Sequence, residues 1–134
     1  NRINIPSSLR KQFLKNDNKT FVITRGIDEC AWIYPMNEWK KIQKELNNLS
    51  SMSKKNRIFL RNHLRHANIL KYDSQGRFVL PNSLIDYTKI SKDVTIIGVL
   101  NKIEIWNPKI LRKSDEKDQI DDPSYEQLSE RVNI

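Results

Sequence analysis

Arg2-Ile-Asn-Ile-Pro-Ser-Ser-Leu9 and Arg77-Phe-Val-Leu-Pro-Asn-Ser-Leu84 are two versions of one pattern, Arg-φ-x-φ-Pro-x-Ser-Leu, where φ is any apolar residue. Arg, Pro, Ser and Leu coincide, and Ile3 and Ile5 answer Phe78 and Leu80 at an offset of 75. Like blocks at a fixed offset are the signature of an internal repeat. The stretches 21–24 and 94–97 correspond after a shift of two residues, as do Trp32-Ile33-Tyr34-Pro35 and Ile105-Trp106-Asn107-Pro108.

Each unit reads the same way. A short strand runs into proline, where pairing must stop because proline offers no amide hydrogen. A short helix follows (8–14 and 83–88), with serine as its expected cap. A hairpin comes next: 21–24 with 31–34 in the first unit, 94–99 with 102–106 in the second. Ile103 and Ile105 alternate with Lys102 and Glu104, the period of a half-buried strand. Neither unit can bury both its faces alone, so one barrel-like core shared by both is expected.

Two helices are predicted between the units. Asn37 is placed to cap the first, which carries Trp39, Ile42, Leu46 and Leu49 at helical spacing. Ser53 caps the second, with Ile58, Phe59, Leu64 and Ala67 expected inward. Arg57, Arg61 and Arg65 form a basic stripe read as a solvated face. The division expected is 1–37 for the first unit, 38–68 for linker helices, 69–112 for the second unit and 113–134 for an acidic tail. That tail holds a short helix begun near Pro123, carrying Tyr125, Leu128 and Val132.

Charge is distributed unevenly. Residues 1–114 carry 22 Lys and Arg against 9 Asp and Glu, net +13, whereas residues 115–134 carry two against seven, net −5. A basic body points to a polyanion, because neutralising phosphates releases their counterions. The apolar run 94–100 is far short of a membrane span. The single cysteine, Cys30, suits a reducing compartment. An intracellular protein without membrane contact is expected.

The segment Tyr72-Asp73-Ser74-Gln75-Gly76-Arg77 is the most informative for function. Strand-like residues flank it, so it reads as a tight hairpin. Asp73 at the first position accepts backbone amides from within the turn, and Gly76 at the fourth supplies positive φ. Arg77 is then held at the rim. Asn1 occupies the place of Gly76 in the first unit, and asparagine tolerates the left-handed conformation.

An Asp-x-x-x-Arg turn before a strand ending in proline, with the Arg strand occurring twice, resembles the MraZ family of bacterial transcriptional regulators, which are built from two SpoVT–AbrB-like units. Pro35-Met36-Asn37-Glu38-Trp39, Leu49-Ser50-Ser51-Met52, the run from Gly98 to Trp106 and Leu128-Ser129-Glu130-Arg131 carry the likeness across nearly the whole chain. The resemblance implies an α+β fold, mainly β: a swapped-hairpin AbrB-like β-barrel made by both repeats, with two linker helices and a C-terminal helix. It also implies a strand and the Asp-x-x part of a first loop ahead of Asn1.

The functional expectations follow from the same resemblance. The chain would be a sequence-specific regulator of the cell-division and cell-wall operon, binding tandem promoter repeats in double-stranded DNA as a ring-like homo-oligomer in the cytoplasm and nucleoid. Repression is the expected sign and activation the alternative. Arg2 and Arg77 are the expected DNA-contacting arginines, with Asn1 in the first loop and Asp73, Ser74, Gln75 and Gly76 in the second. Asp73 on its own chemistry is a turn cap and partner for Arg77 rather than a base contact.

The competing readings are an AbrB-like antitoxin or other protein-interaction module, and an RNA-binding protein. Trp32, Trp39 and Trp106 read as core rather than as stacking platforms for bases. No phosphate loop, nucleophile constellation or carboxylate pair is present in the sequence, so no catalysis and no cofactor are expected. His63 and His66 are three apart, but no Cys or carboxylate stands nearby to complete a metal site.

Overall fold

In the computed structural model, residues 2–15 and 18–134 are described. The first repeat forms β1 (Arg2–Asn4), α1 (Ser7–Phe13), β2 (Thr20–Arg25), β3 (Ala31–Pro35) and α2 (Met36–Asn47). After α3 (Lys54–Arg65) and β4 (Asn68–Lys71), the second repeats that order as β5 (Arg77–Val79), α4 (Asn82–Thr88), β6 (Thr95–Val99), β7 (Lys102–Trp106) and α5 (Pro108–Lys117). A last helix, α6 (Asp122–Arg131), follows.

The fold is α+β, with more residues in helices than in strands. Its strands fall into two antiparallel sheets, a ribbon of β1 with β5 and a five-stranded sheet in the order β4-β2-β3-β7-β6. Among the described residues they do not close into one hydrogen-bonded barrel. The ribbon instead lies as a lid on the inner face of the larger sheet. Ile3, Ile5, Phe78 and Leu80 point down from it onto Phe21, Ile23, Ile33, Ile103 and Ile105, all at most 4% exposed. Each such side chain contributes about 1.5–3 kcal/mol of transfer free energy, so this shared interior is the main source of cohesion between the repeats. Phe21 meets Phe78 edge-on at 5.1 Å.

The chain swaps partners between repeats. The residues on either side of the 73–76 turn read locally as a hairpin, whereas the resemblance implied swapped hairpins, and β4 pairs with β2 and β5 with β1. The apolar pattern explains this: Phe78 and Leu80 reach the common core only if β5 crosses to the other repeat's strand.

The second face of the larger sheet holds Val22 and Tyr34 under Trp39 of α2. Glu104 accepts from both Trp32 Nε1 (3.0 Å) and Trp106 Nε1 (2.9 Å), which places two of the three indoles as structural groups.

Several local expectations are corrected. Ser8 and Ser83 lie inside α1 and α4, and Asn37 lies inside α2; Pro6, Pro81 and Pro35 occupy the three cap positions without any side-chain bond. The proline carbonyls accept the first intrahelical bonds, Pro6 O from Arg10 N and Pro81 O from Ile85 N, both at 3.0 Å, but proline has no side-chain acceptor for the other first-turn amides. Ser53 does cap α3, accepting from Asn56 N at 3.3 Å.

The inward side of α3 is rotated from the expected one. Ile58, Phe59 and Leu64 remain 43–44% exposed, and the buried residue is His63. Its ring stacks between Trp39 (6.0 Å) and Phe59 (5.6 Å), and its carbonyl accepts from buried Thr24 Oγ1 at 2.7 Å. The acidic end also holds two helices rather than one, because Asn107 caps α5 by accepting from Lys109 N and Pro108 begins it.

Burial, and then the nearby Arg25, lowers the pKa of His63 below its ordinary 6.5; burial also comes first for His66, followed by Arg65 and Arg25. A histidine whose folded-state value is depressed takes up its proton more readily in the unfolded chain. Stability is therefore full above about pH 6.5 and declines as the pH drops below it. Urea midpoints are expected to decrease between pH 7.5 and 5.5, and His63→Phe, which keeps a ring at that place, is expected to flatten the decline.

Candidate nucleic-acid interface

The ribbon has a strict inside and outside. Ile3 sits opposite Phe78, Arg2 opposite Val79 and Asn4 opposite Arg77. Because side chains alternate along a strand, burying the central Ile3–Phe78 pair turns the four flanking residues to the other face. Arg2 and Asn4 are exposed there, and Arg77 is half-buried. The two arginines occupy diagonal positions on this face, about 7–8 Å apart along the backbone, and somewhat closer at their Cβ atoms, by ordinary sheet geometry. They also bound one shallow hollow together with Lys71, Tyr72 and Asp73.

The turn beside them is tightly bonded. Asp73 O accepts from Gly76 N (2.9 Å), and Asp73 N donates to Arg77 O (2.8 Å). Asp73 Oδ1 accepts from both Gln75 N and Arg77 N at 2.9 Å, and Oδ2 accepts from Arg77 Nε at 3.2 Å. The Arg77 amide, before the Gln75 amide and the guanidinium, holds the Asp73 carboxyl below its ordinary range. The turn therefore keeps its charged cap to a lower pH than a free aspartate would.

An exposed ion pair of this kind adds little stability, so its effect is positional. Arg77 spends Nε on Asp73, and its two terminal nitrogens make no bond among the described residues. Arg2 likewise has no hydrogen-bond partner there. Ser74 and Gln75 stand exposed at the tip, whereas Gly76 is buried. Asn1 lies outside the described residues.

The first repeat braces the turn of the second. Gly76 O accepts from Ile5 N at 2.8 Å, and Ile5 O accepts from Arg10 Nε at 2.9 Å. The Arg10 guanidinium then lies 5.6 Å from the centre of the Tyr72 ring, within cation–π range. Gly76 is needed twice over: its φ is +80°, and a Cβ at that position would approach Arg10 Nε to 2.5 Å.

Arg10 was absent from the expected site. One signal of it lay in the sequence, since the repeat has Arg10 where its copy has Ile85. No three His, Cys, Asp or Glu side chains among the described residues converge as a metal site, and no helix is long and apolar enough to cross a membrane.

Comparison with known proteins agrees with the duplicated architecture. The family model described as "MraZ protein, putative antitoxin-like" matches in two stretches, residues 1–62 and 63–133. The chain belongs to the MraZ family.

Relatives named transcriptional regulator MraZ include one from Clostridium tetani, 37% identical over 99% of this chain and 88% of its own length. That from Natranaerobius thermophilus is 40% identical over 98% of this chain and 87% of its own. A third, from Cytophaga hutchinsonii, is 33% identical over 84% of this chain and 74% of its own.

Gly76→Ala is expected to lower stability by about 1–2 kcal/mol from the left-handed conformation alone, with a further loss where Arg10 must move; chemical denaturation measures it. Arg10→Ala is expected to cost less in the Gly76→Ala background than in the wild type, because the added methyl has already displaced the Arg10 brace.

Proposed function

We propose that this chain is a sequence-specific, DNA-binding transcriptional regulator that reads guanine edges with Arg2 and Arg77. The observation that carries the reading is the placement of both arginines on the outer face of one ribbon, with the terminal nitrogens of Arg77 unbonded among the described residues. A guanidinium donates two parallel hydrogen bonds to O6 and N7 of guanine in the major groove, which also admits a two-stranded ribbon. Asp73 acts as the holder of Arg77, and Ser74, Gln75 and Lys71 lie where they meet the phosphate backbone. Gly76 supplies the positive φ that shapes the turn and leaves room for Arg10 behind it. Asn1 is assigned the same part in the first loop.

The names of the relatives and the basic charge of residues 1–114 support this reading. One bidentate contact discriminates by about 1–3 kcal/mol, too little to single out a promoter. Multiplicity supplies the remainder. A ring-like homo-oligomer presents identical ribbons at regular spacing, so that later contacts on tandem repeats become intramolecular. The proposed target is the promoter of the cell-division and cell-wall operon, and the proposed location is the cytoplasm and nucleoid. The regulator acts as repressor or activator according to where its repeats lie relative to the promoter.

The test is a duplex titration with tandem-repeat and scrambled DNA. Arg77→Ala and Arg2→Ala are each expected to weaken binding to a single repeat by roughly 5- to 150-fold and to leave scrambled DNA nearly unaffected. A uniform loss on both duplexes, with a shallower salt dependence, would assign the arginine to phosphate instead. Asp73→Ala is expected to reduce specificity more than Asp73→Asn, whose amide oxygen can still accept from the turn.

A further inference from the structure

Two surfaces of opposite charge lie uncovered away from the ribbon. One belongs to α6. Tyr125, Leu128 and Val132 fall on one side of it at helical spacing and are 64%, 50% and 66% exposed. Asp122, Glu126 and Glu130, spaced by four, run along the flank of that stripe.

The other surface lies where the turn after β2 meets α3. Ile27 stands 73% exposed beside Phe59, over a hollow of about 260 Å³ bordered also by Arg25 and Asn62. The α3 edge of this acceptor is basic, with five Lys and Arg residues and no acidic one, whereas Asp28 and Glu29 are exposed next to Ile27 and Glu29 is paired with Lys89 at 3.3 Å. Within α3, Lys55 and Arg61 lie to either side of exposed Ile58.

We propose that α6 of one copy of this chain docks on the α3 surface of a second copy, seating Tyr125 and Leu128 over Ile27 and Phe59. The acidic flank of α6 then faces Lys55, one turn before Phe59 on the same side of α3. Each surface alone is an apolar patch of the sort that marks an interaction site, and the charges of α6 and α3 are complementary. Donor and acceptor are different parts of the chain, so the contact is head-to-tail and leaves a free donor and a free acceptor on every pair. Repetition of such a contact closes into a ring where the rotation permits. The inference rests on the homo-oligomer of the proposed function and supplies its joint.

Two full-length variants test it, Leu128→Glu in the donor and Ile27→Glu in the acceptor. Both positions are exposed, and circular dichroism checks that each variant is folded. Mass in solution is measured by light scattering. Wild type is expected to assemble, each variant to remain a single chain, and a 1:1 mixture of the variants to form dimers and nothing larger. Those dimers arise because the Ile27→Glu chain keeps its donor and the Leu128→Glu chain keeps its acceptor.

Assembly of either variant to the wild-type mass overturns the proposal while leaving the ring intact. A mixture that stays monomeric overturns it too, and identifies contact of α6 with its own chain as one cause. Wild type that is monomeric throughout removes both the ring and this joint, whereas DNA reading by a single ribbon would survive.

Discussion

The antiparallel pairing of β1 with β5, centred on Ile3 opposite Phe78, is the constraint on which the rest of the molecule depends. It joins strands far apart in the chain and belonging to different repeats, so neither repeat can complete its interior without the other. It also decides which side chains reach solvent. In a strand a slip of one residue exchanges the two faces, and here such a slip would bury Arg2 and Arg77 and expose Ile3 and Phe78. The cost of burying two unpaired guanidinium groups, added to that of exposing two large apolar side chains, leaves a single acceptable register. The same hydrophobic pattern that closes the core therefore presents the arginines.

Rigidity at the tip comes from bonds that cross between the repeats. Gly76 gives its carbonyl to Ile5, Ile5 gives its carbonyl to Arg10, and Arg10 lies against the ring of Tyr72 on the strand that leads into the turn. The loop is thus closed from inside by Asp73 and from outside by the other half of the molecule. Preorganisation of this kind lowers the ordering cost when a polyanion is engaged. It also accounts for the departure of the two repeats from identity at Arg10 and Ile85, since α1 packs at the base of the 73–76 turn and carries the residue that braces it.

Much of this was legible from the chain because it depended on local chemistry or on periodicity. The duplicated Arg-φ-x-φ-Pro blocks announced two like units, and the Asp73–Gly76 spacing announced a capped turn with positive φ. What was not legible depended on distant partners. Nothing within residues 69–80 says that β5 leaves β4 for β1. The phase of α3 was misjudged because its apolar residues, Ile58, Phe59 and Leu64, are not the ones it buries. A neutral His63 between two rings takes the inward place, and hydropathy gives imidazole no such preference. The start of α5 lay in Asn107-Pro108, a cap followed by a first-turn proline, which was read only as the counterpart of Tyr34-Pro35. At the candidate site, Arg10 was hidden because its contact is with the far repeat.

The most direct test of the account is hydrogen–deuterium exchange on the full-length chain, alone and with a duplex bearing the tandem repeats proposed as its target. Slowed exchange on binding is predicted in residues 2–5 and 72–79 together, with little change along β3 and β7. Slowing on the face of the larger sheet or along α3, with the ribbon unaffected, would contradict the claim that the paired strands of the two repeats form the DNA-reading surface.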